Sequence, residues 1–238
     1  FNIWPKHFSK NILMVFFIIF FIIFFFLPKA WLNYSMNRYD KDLAGMPFNA
    51  EEFGRLILKE NEMEDVVIEE TNMVDHYDLN DRAVRVKEGR LKKKSLTALA
   101  IICHEIGHAI QHKEQYGPLV RRTDIVKNTQ WLTRFGGIIL YSGLPIILAT
   151  GNFGLIKICL ILALCSVLLG VFIHLVTLNV ELDASFKRAM PILKEKIPEE
   201  YHFQCKNILR AAAFTYVIGA LTSFLSLRYV WLLLTRLR

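Results

Sequence analysis

The motif His104-Glu105-Ile106-Gly107-His108 constrains the fold of this chain more than any other feature. It lies in a run with helical spacing of apolar residues, so its two histidines, four residues apart, share one helix face. Two imidazoles in that arrangement can bind one Zn²⁺ at about 2.0–2.1 Å. The glutamate beside the first histidine then lies next to the open position of the metal. The motif therefore predicts a metal helix with His104 and His108 as ligands and Glu105 as a general base.

A solvent-facing polar stripe without a metal is the alternative for this helix. Ile101, Ile102 and Ile110 flank the motif, so we expect the helix to be buried. An unpaired glutamate at Glu105 would then cost several kcal/mol. Gly107 lowers helix propensity by about 1 kcal/mol, which favours a position where a second backbone approaches closely. We therefore prefer the zinc interpretation.

A third ligand is expected, because catalytic zinc sites usually have three protein ligands and a water molecule. The position six residues after His108, where a third histidine could stand, is Glu114. The sequence instead predicts that Glu181 completes the site from a second helix. Asp183 is a candidate for the hydrogen bond that orients a zinc-bound imidazole. The alternative is that both acids only balance nearby positive side chains at a membrane boundary.

Long apolar runs occupy much of the remaining chain, which is 53% hydrophobic with 18 Phe in 238 residues. The first run covers residues 12–27, and three others follow the motif at residues 131–150, 155–178 and 211–234. Helices of about 20 apolar residues can span a bilayer. The runs predict an integral membrane protein with about four spans, whereas the alternative is a set of buried helices in a large soluble core. No cleavage site of small residues follows the first run, so we expect a retained anchor.

The runs divide the chain into five parts. The predicted parts are an N-terminal transmembrane anchor (1–32), a catalytic domain that holds the motif (33–130), transmembrane helices 2 and 3 (131–178), a segment that supplies the third zinc ligand (179–210) and a C-terminal transmembrane helix (211–238). In the second part, residues 50–61 have helical spacing, and residues 65–70 and 83–87 are typical of strands. We expect the strand before the metal helix to be an edge strand that can pair with an extended substrate.

Several short motifs occur together around these residues. They are Asp75-His76-Tyr77-Asp78, Ser95-Leu96 before the histidine motif, Tyr116-Gly117-Pro118, Arg121, Glu181-x-Asp183-Ala184-Ser185, and residues 211–217. With them, the chain resembles the YugP-type membrane zinc metallopeptidases over nearly all of its length after the first apolar run. The resemblance implies a membrane-bound zinc peptidase with ligands His104, His108 and Glu181 and base Glu105. The chain is more distantly similar to the HtpX type, in which an acidic partner lies four residues after the ligand glutamate, where this chain has Ser185.

The fold class that we predict is a mainly α membrane protein with about four transmembrane helices and a small α+β, zincin-like catalytic domain. The predicted reaction is hydrolysis of peptide bonds in proteins at or near the membrane surface, with Glu105 as the base. The oxyanion that forms also requires a donor, and residue type does not choose among the candidates. These candidates are His76, Tyr77, Tyr116, Arg121 and His202, each of which could equally have a structural role.

The distribution of charged residues along the chain indicates which partners to expect. The net charge of +7 is spread over many short segments, which favours solvated loops or anionic lipids over nucleic acid. The expected partners are protein or peptide substrates, membrane proteins among them, and the lipid bilayer. Basic residues are more numerous near the span ends on the catalytic side. The positive-inside rule therefore predicts a multi-pass cell-membrane protein with a cytoplasmic active site.

Three other functions are compatible with the sequence. An intramembrane, site-2-type protease is disfavoured, because residues 96–103 are too short an apolar lead to place His104 at mid-membrane. A non-catalytic membrane scaffold with a structural metal site would need the ligands but not Glu105. A zinc transporter or sensor would need polar ligands along the spans, where His174 is the one candidate.

Overall fold

The computed structural model describes residues 6–143, 146, 149 and 151–236, and most of them are helical. The helices are α1 (Lys6–Arg38), α2 (Ala50–Glu60), α3 (Leu96–Lys113), α4 (Gly117–Ile138), α5 (Phe153–Leu182), α6 (Met190–Lys196) and α7 (His202–Arg236). The strands are β1 (Val67–Thr71), β2 (His76–Asp78) and β3 (Ala83–Lys87). Two π-helical turns, Ile139–Gly143 and Asp183–Ala189, follow α4 and α5 directly.

The sheet is small and packs beside α2 and α3. Its strand order is β1-β3-β2, with β3 parallel to β1 and antiparallel to β2. The expectation that the strand before the metal helix lies at an edge is therefore wrong, because β3 is central. The edge strand β2 was not predicted, since its three residues are too few to show an alternating pattern.

Local sequence explains where α2 and α3 begin. The side chain of Asn49 accepts a hydrogen bond from the backbone of Glu52, whose side chain accepts one from the backbone of Asn49, both at 2.9 Å. This capping box satisfies two backbone donors at the start of α2. Ser95 caps α3 by accepting from the backbone N–H of Ala98 at 3.1 Å. Its hydroxyl also donates to Asp40, which ties the start of α3 to the loop after α1.

Helix α3 is the central helix of the core. Leu99, Ile102 and Ile106 are completely buried in one hydrophobic cluster with side chains of α2, the sheet, α6 and α7. Burial on nearly all sides places the histidine motif of α3 inside the protein, as the flanking isoleucines predict. Polar side chains at this depth need partners, because an unpaired buried polar group is costly.

The π-helical turn Asp183–Ala189 packs its backbone against α3. A Cβ atom built on Gly107 would lie 2.9 Å from the carbonyl oxygen of Ala184, closer than such atoms approach in proteins. Gly107 therefore permits this contact, and the expectation that a second backbone approaches it is confirmed. The contact also fixes the height of the turn on α3, and with it the position of Glu181 at the end of α5. π-Helical turns are often found at functional sites.

The prediction of about four transmembrane helices is wrong. Within the part of the chain that the structure describes, one helical stretch, Phe153–Lys196, contains a segment long and apolar enough to cross a membrane. Residues 1–5, 144–145, 147–148, 150 and 237–238, at the ends of the predicted anchor and C-terminal helix and inside the run 131–150, lie outside the described residues.

Packing between helices accounts for part of the apolar run in α7. In α7, Ala211, Ala213 and Ile218 are buried against other parts of the protein. The ring of Trp31 in α1 meets the ring of Phe214 in α7 edge-on, with centroids 5.6 Å apart. A run of apolar residues looks the same in a sequence whether its side chains contact lipid or another helix. The apolar runs alone therefore did not distinguish a membrane span from a helix packed within the protein.

Candidate metal centre

Three side chains from two helices converge on one point. Nε2 of His104 lies 3.3 Å from Oε2 of Glu181, and Nε2 of His108 lies 3.5 Å from the same oxygen. The possible ligand atoms of all three residues lie within 4.8 Å of one another. Atoms bound to a tetrahedral Zn²⁺ at about 2.0–2.1 Å are about 3.3–3.4 Å apart. The separations in this cluster therefore match the edge of a zinc coordination shell.

One oxygen of the buried Glu181 carboxylate lacks a hydrogen bond from the described residues. Glu181 is 4% exposed, and its Oε2 atom has no hydrogen-bond partner among the described residues. A buried carboxylate oxygen without a donor is strongly unfavourable. A cation between this oxygen and the two facing Nε2 atoms would satisfy all three, so the residues present fit Zn²⁺.

Gln111 determines which nitrogen of His108 faces the cluster. Its side-chain NH₂ donates to the carbonyl oxygen of Val180 and to Asp183, both at 2.9 Å. The amide oxygen therefore points the other way and accepts from Nδ1 of His108 at 3.0 Å. With the proton on Nδ1, Nε2 carries the lone pair that a metal ligand needs.

Ser185 is the corresponding partner of His104. Its hydroxyl oxygen lies 3.1 Å from Nδ1 of His104, where it can accept a hydrogen bond from the Nδ1–H group. The sequence places this role on Asp183, but Asp183 reaches the imidazole of His108 only through Gln111 and is held by Arg188, whose Nε donates to it at 2.7 Å. The spacing of four residues between Glu181 and Ser185 is the sequence signal that could have identified Ser185.

A cleft with a volume of about 240 Å³ opens beside the cluster. Glu105 lines it together with the three possible ligands and is 6% exposed. Burial raises the pKa of the Glu105 carboxyl above its ordinary value, and the adjacent His104 and His108 partly oppose this shift. A carboxylate with a raised pKa is a stronger base than one in solvent, which suits proton transfer near neutral pH.

Two of the predicted oxyanion donors lie at the cleft, both in β2. Nδ1–H of His76 donates to the carbonyl oxygen of Val74 at 2.8 Å, so its Nε2 is not engaged in that contact. The hydroxyl of Tyr77 is already engaged, 2.9 Å from Nδ1 of His112. With its proton on Nδ1, a neutral His76 offers a lone pair and not a donor at Nε2, so neither residue presents a free donor to an oxyanion.

The other three predicted donors lie outside the cleft lining. The ring of Tyr116 lies under the guanidinium of Arg188, 5.5 Å from ring centre to Cζ. Arg121 is exposed on α4. Nε2 of His202 lies 2.8 Å from the carbonyl oxygen of Ile197 at the start of α7. These contacts are structural ones within loops and helix ends.

Two cleft residues were not found by reasoning from the sequence. Arg122 reaches the cleft from α4, and Tyr216 reaches it from α7. Burial raises the pKa of the Tyr216 hydroxyl, and the charges of Glu181 and Glu105 add to the shift. Tyr216 therefore stays protonated at neutral pH and can donate a hydrogen bond next to the metal cluster.

Comparison with known proteins accords with this arrangement. Residues 14–235 match the family model described as "Putative neutral zinc metallopeptidase". The chain belongs to this family. It is 32% identical over 227 residues to the "Putative membrane protease YugP" of Bacillus subtilis (strain 168), with 94% of this chain and 97% of that protein covered. The resemblance noted from the sequence is thus confirmed, and so is zinc as the metal of this metallopeptidase family. No solved structure matches the chain.

Proposed function

We propose that this protein is a zinc metallopeptidase that hydrolyses peptide bonds of proteins at or near a membrane surface. The observation that carries the proposal is the convergence of His104, His108 and Glu181 around the unpartnered oxygen of Glu181, with the Glu105 carboxylate in the same cleft. A structural zinc site is normally closed by four protein ligands, whereas three ligands beside a cleft leave one position open.

The catalytic roles follow from the chemistry of the side chains. His104, His108 and Glu181 would hold Zn²⁺, which when bound acidifies a water molecule and polarises the scissile carbonyl. Glu105 takes the proton of the attacking water and delivers it to the leaving amine. The hydroxyl of Tyr216, which remains protonated, donates to the oxygen that becomes negative as the bond is attacked.

Attachment to a membrane is part of the proposal. The relative from Bacillus subtilis is named a membrane protease, and the apolar stretch within Phe153–Lys196 leads directly into Glu181. The metal centre would then lie at the membrane boundary, where it meets protein or peptide substrates, including membrane proteins. Lys187 and Arg188 follow the apolar segment, whereas Lys157 alone lies near its start. By the positive-inside rule, this distribution of charge supports a centre on the cytoplasmic face as part of the proposal.

The test compares the purified wild-type protein with Glu105→Gln. Both are loaded with zinc, their metal content is measured, and each is incubated with an unfolded protein whose cleavage is followed by mass spectrometry. We expect one zinc per chain in both proteins. We expect cleavage by the wild type to exceed that by the variant by about 10²–10⁴-fold, the usual contribution of a general base. Zinc binding without cleavage that depends on Glu105 would overturn the proposal and favour a membrane scaffold.

A further inference from the structure

Arg122 is a cation in the metal cleft, and one of its donors lacks a partner among the described residues. It lines the cleft from α4, and its Nε atom is buried without a hydrogen-bond partner among the described residues. Asp75 in the cleft lining pairs with Arg90, Glu181 faces the two histidines, and none of the ion pairs among the described residues includes Arg122. A guanidinium group is always charged and carries five hydrogen-bond donors. A donor of such a group that is buried without an acceptor raises the free energy of the folded protein. This arrangement is typical of a side chain that binds a ligand.

The charges of the cleft indicate the sign of that ligand. The two positive charges of bound Zn²⁺ would be offset by the carboxylates of Glu181 and Glu105. Asp75, the other acid in the lining, is already neutralised by Arg90. With the histidines neutral, Arg122 leaves the zinc-loaded cleft with one positive charge. A ligand group with one negative charge would complete the balance.

We propose that Arg122 binds the free α-carboxylate at the C-terminus of a peptide substrate, so that the enzyme favours bonds close to a chain end. The inference rests on the peptidase function proposed above. The planar fork of a guanidinium matches a carboxylate through two parallel hydrogen bonds. The substrate's own C-terminus is the one carboxylate that every peptide carries, whatever its sequence.

The size of the cleft favours a chain end over an extended segment. Its volume of about 240 Å³ is below the ~300–1,000 Å³ of ordinary ligand pockets. Leu119, Arg122 and Tyr216 line the cleft. Arg122 and Tyr216 are close enough to interact electrostatically. A space of this size fits a short C-terminal piece of a peptide beside the metal centre.

The first test is a comparison of matched substrates. Zinc-loaded protein receives peptides of one sequence that end in a free carboxylate or in a carboxamide, and kcat/KM is measured for each. We expect the wild type to prefer the free acid by about 10- to 100-fold, the range for a hydrogen bond to a charged group. Arg122→Gln should abolish that preference, and Arg122→Lys should retain part of it. Arg121→Gln removes the same charge from an exposed neighbour and should retain the full preference.

A binding measurement keeps the inference testable without turnover. Glu105→Gln, loaded with zinc, is titrated calorimetrically with the same acid and amide peptides, and the double variant with Arg122→Gln is titrated in parallel. We expect tighter binding of the acid, and loss of the difference in the double variant. If no peptide is cleaved but this difference appears, the peptidase proposal fails and the carboxylate site stands.

Three results would overturn the inference. One is equal treatment of acid and amide by the wild type, in both cleavage and binding. Another is an equal fall in kcat/KM for the acid and the amide peptide in Arg122→Gln. This result would assign Arg122 a structural or transition-state role. The third uses a peptide amide with a glutamate near its end. Cleavage of this peptide as fast as the free acid, dependent on Arg122, would assign the residue to acidic side chains instead.

Discussion

The carbonyl oxygen of Ala184 lies directly against Gly107, where a Cβ atom would approach it to 2.9 Å. This contact seats the π-helical turn on the metal helix and so places Glu181 beside the two histidines. The site therefore depends on a glycine that binds nothing itself.

Replacement of Gly107 by alanine should push the turn away from α3. We expect a lower melting temperature and a zinc affinity weaker by about 10-fold or more. This is the lower end of the loss in metal affinity that follows when residues supporting the ligands are disturbed. Without the contact, the same change would stabilise a helix by about 1 kcal/mol. Gly170→Ala is the matched control, because a Cβ there meets open space. An unchanged melting temperature and zinc affinity in Gly107→Ala would refute the proposed packing role.

Replacement of Gln111 by leucine should weaken zinc binding without removing any ligand. His108 loses the acceptor that fixes its tautomer, and Asp183 loses a donor. Residues that hydrogen-bond to a metal ligand in this way typically contribute about 10- to 100-fold in metal affinity. Competition with a chelator measures the effect. Ser185→Ala removes the partner of His104 in the same way and should give a loss in the same direction, whereas Gln115→Leu, at an exposed site on the loop after α3, should give none. Wild-type affinity in Gln111→Leu would contradict this account.

Replacement of Tyr216 by phenylalanine should lower kcat and leave the metal in place. Loss of one donor to a developing oxyanion typically costs about 10²–10³-fold in kcat. Zinc content, determined on the same samples, separates this role from a structural one. Tyr201→Phe, at the turn before α7 and outside the cleft lining, should keep full activity. A Tyr216→Phe protein with undiminished kcat, or one that has lost its zinc, would exclude the hydroxyl as the donor.

Zinc affinity should fall as the pH is lowered, and the fall should begin above the ordinary histidine pKa of about 6.5. Burial acts to lower the pKa of His108, but the adjacent carboxylate of Glu181, whose Oε2 lies 3.5 Å from Nε2 of His108, raises this pKa above its ordinary value. In the metal-free protein His108 therefore keeps its proton to a higher pH, and zinc has to displace that proton. Chelator competition between pH 5 and 8 tests the slope. An affinity independent of pH over this range would disprove the coupling.

The metal helix and the cluster of His104, His108 and Glu181 were predictable because they depend on local spacing and on zinc chemistry. The spacing of His104 and His108 fixes their common face in any helix, and the requirement for a third ligand directed attention to the acids near Glu181. The role of Gln111 was not predictable, because its contacts depend on how the π-helical turn is seated on α3. The spacing of four residues after Glu181 could have indicated Ser185, but its contact with His104 depends on the same seating. That seating is a tertiary property.

Residues that reach the cleft from other helices were missed for a related reason. Arg122 and Tyr216 lie in segments whose patterns indicate only an ordinary helix start and an apolar run. Their positions depend on the packing of α4 and α7 around the centre. The overestimate of membrane spans has the same origin, since apolar runs do not show whether lipid or protein covers them.

The assignment of Glu181 as the third zinc ligand is tested most directly by the zinc content and coordination of Glu181→Ala beside those of Glu105→Gln. X-ray absorption on the zinc-loaded wild type should show two imidazoles and oxygen ligands at about 2.0–2.1 Å. We expect Glu105→Gln to keep this spectrum and Glu181→Ala to lose zinc on dialysis. Full retention of zinc by Glu181→Ala, with an unchanged spectrum, would contradict the account.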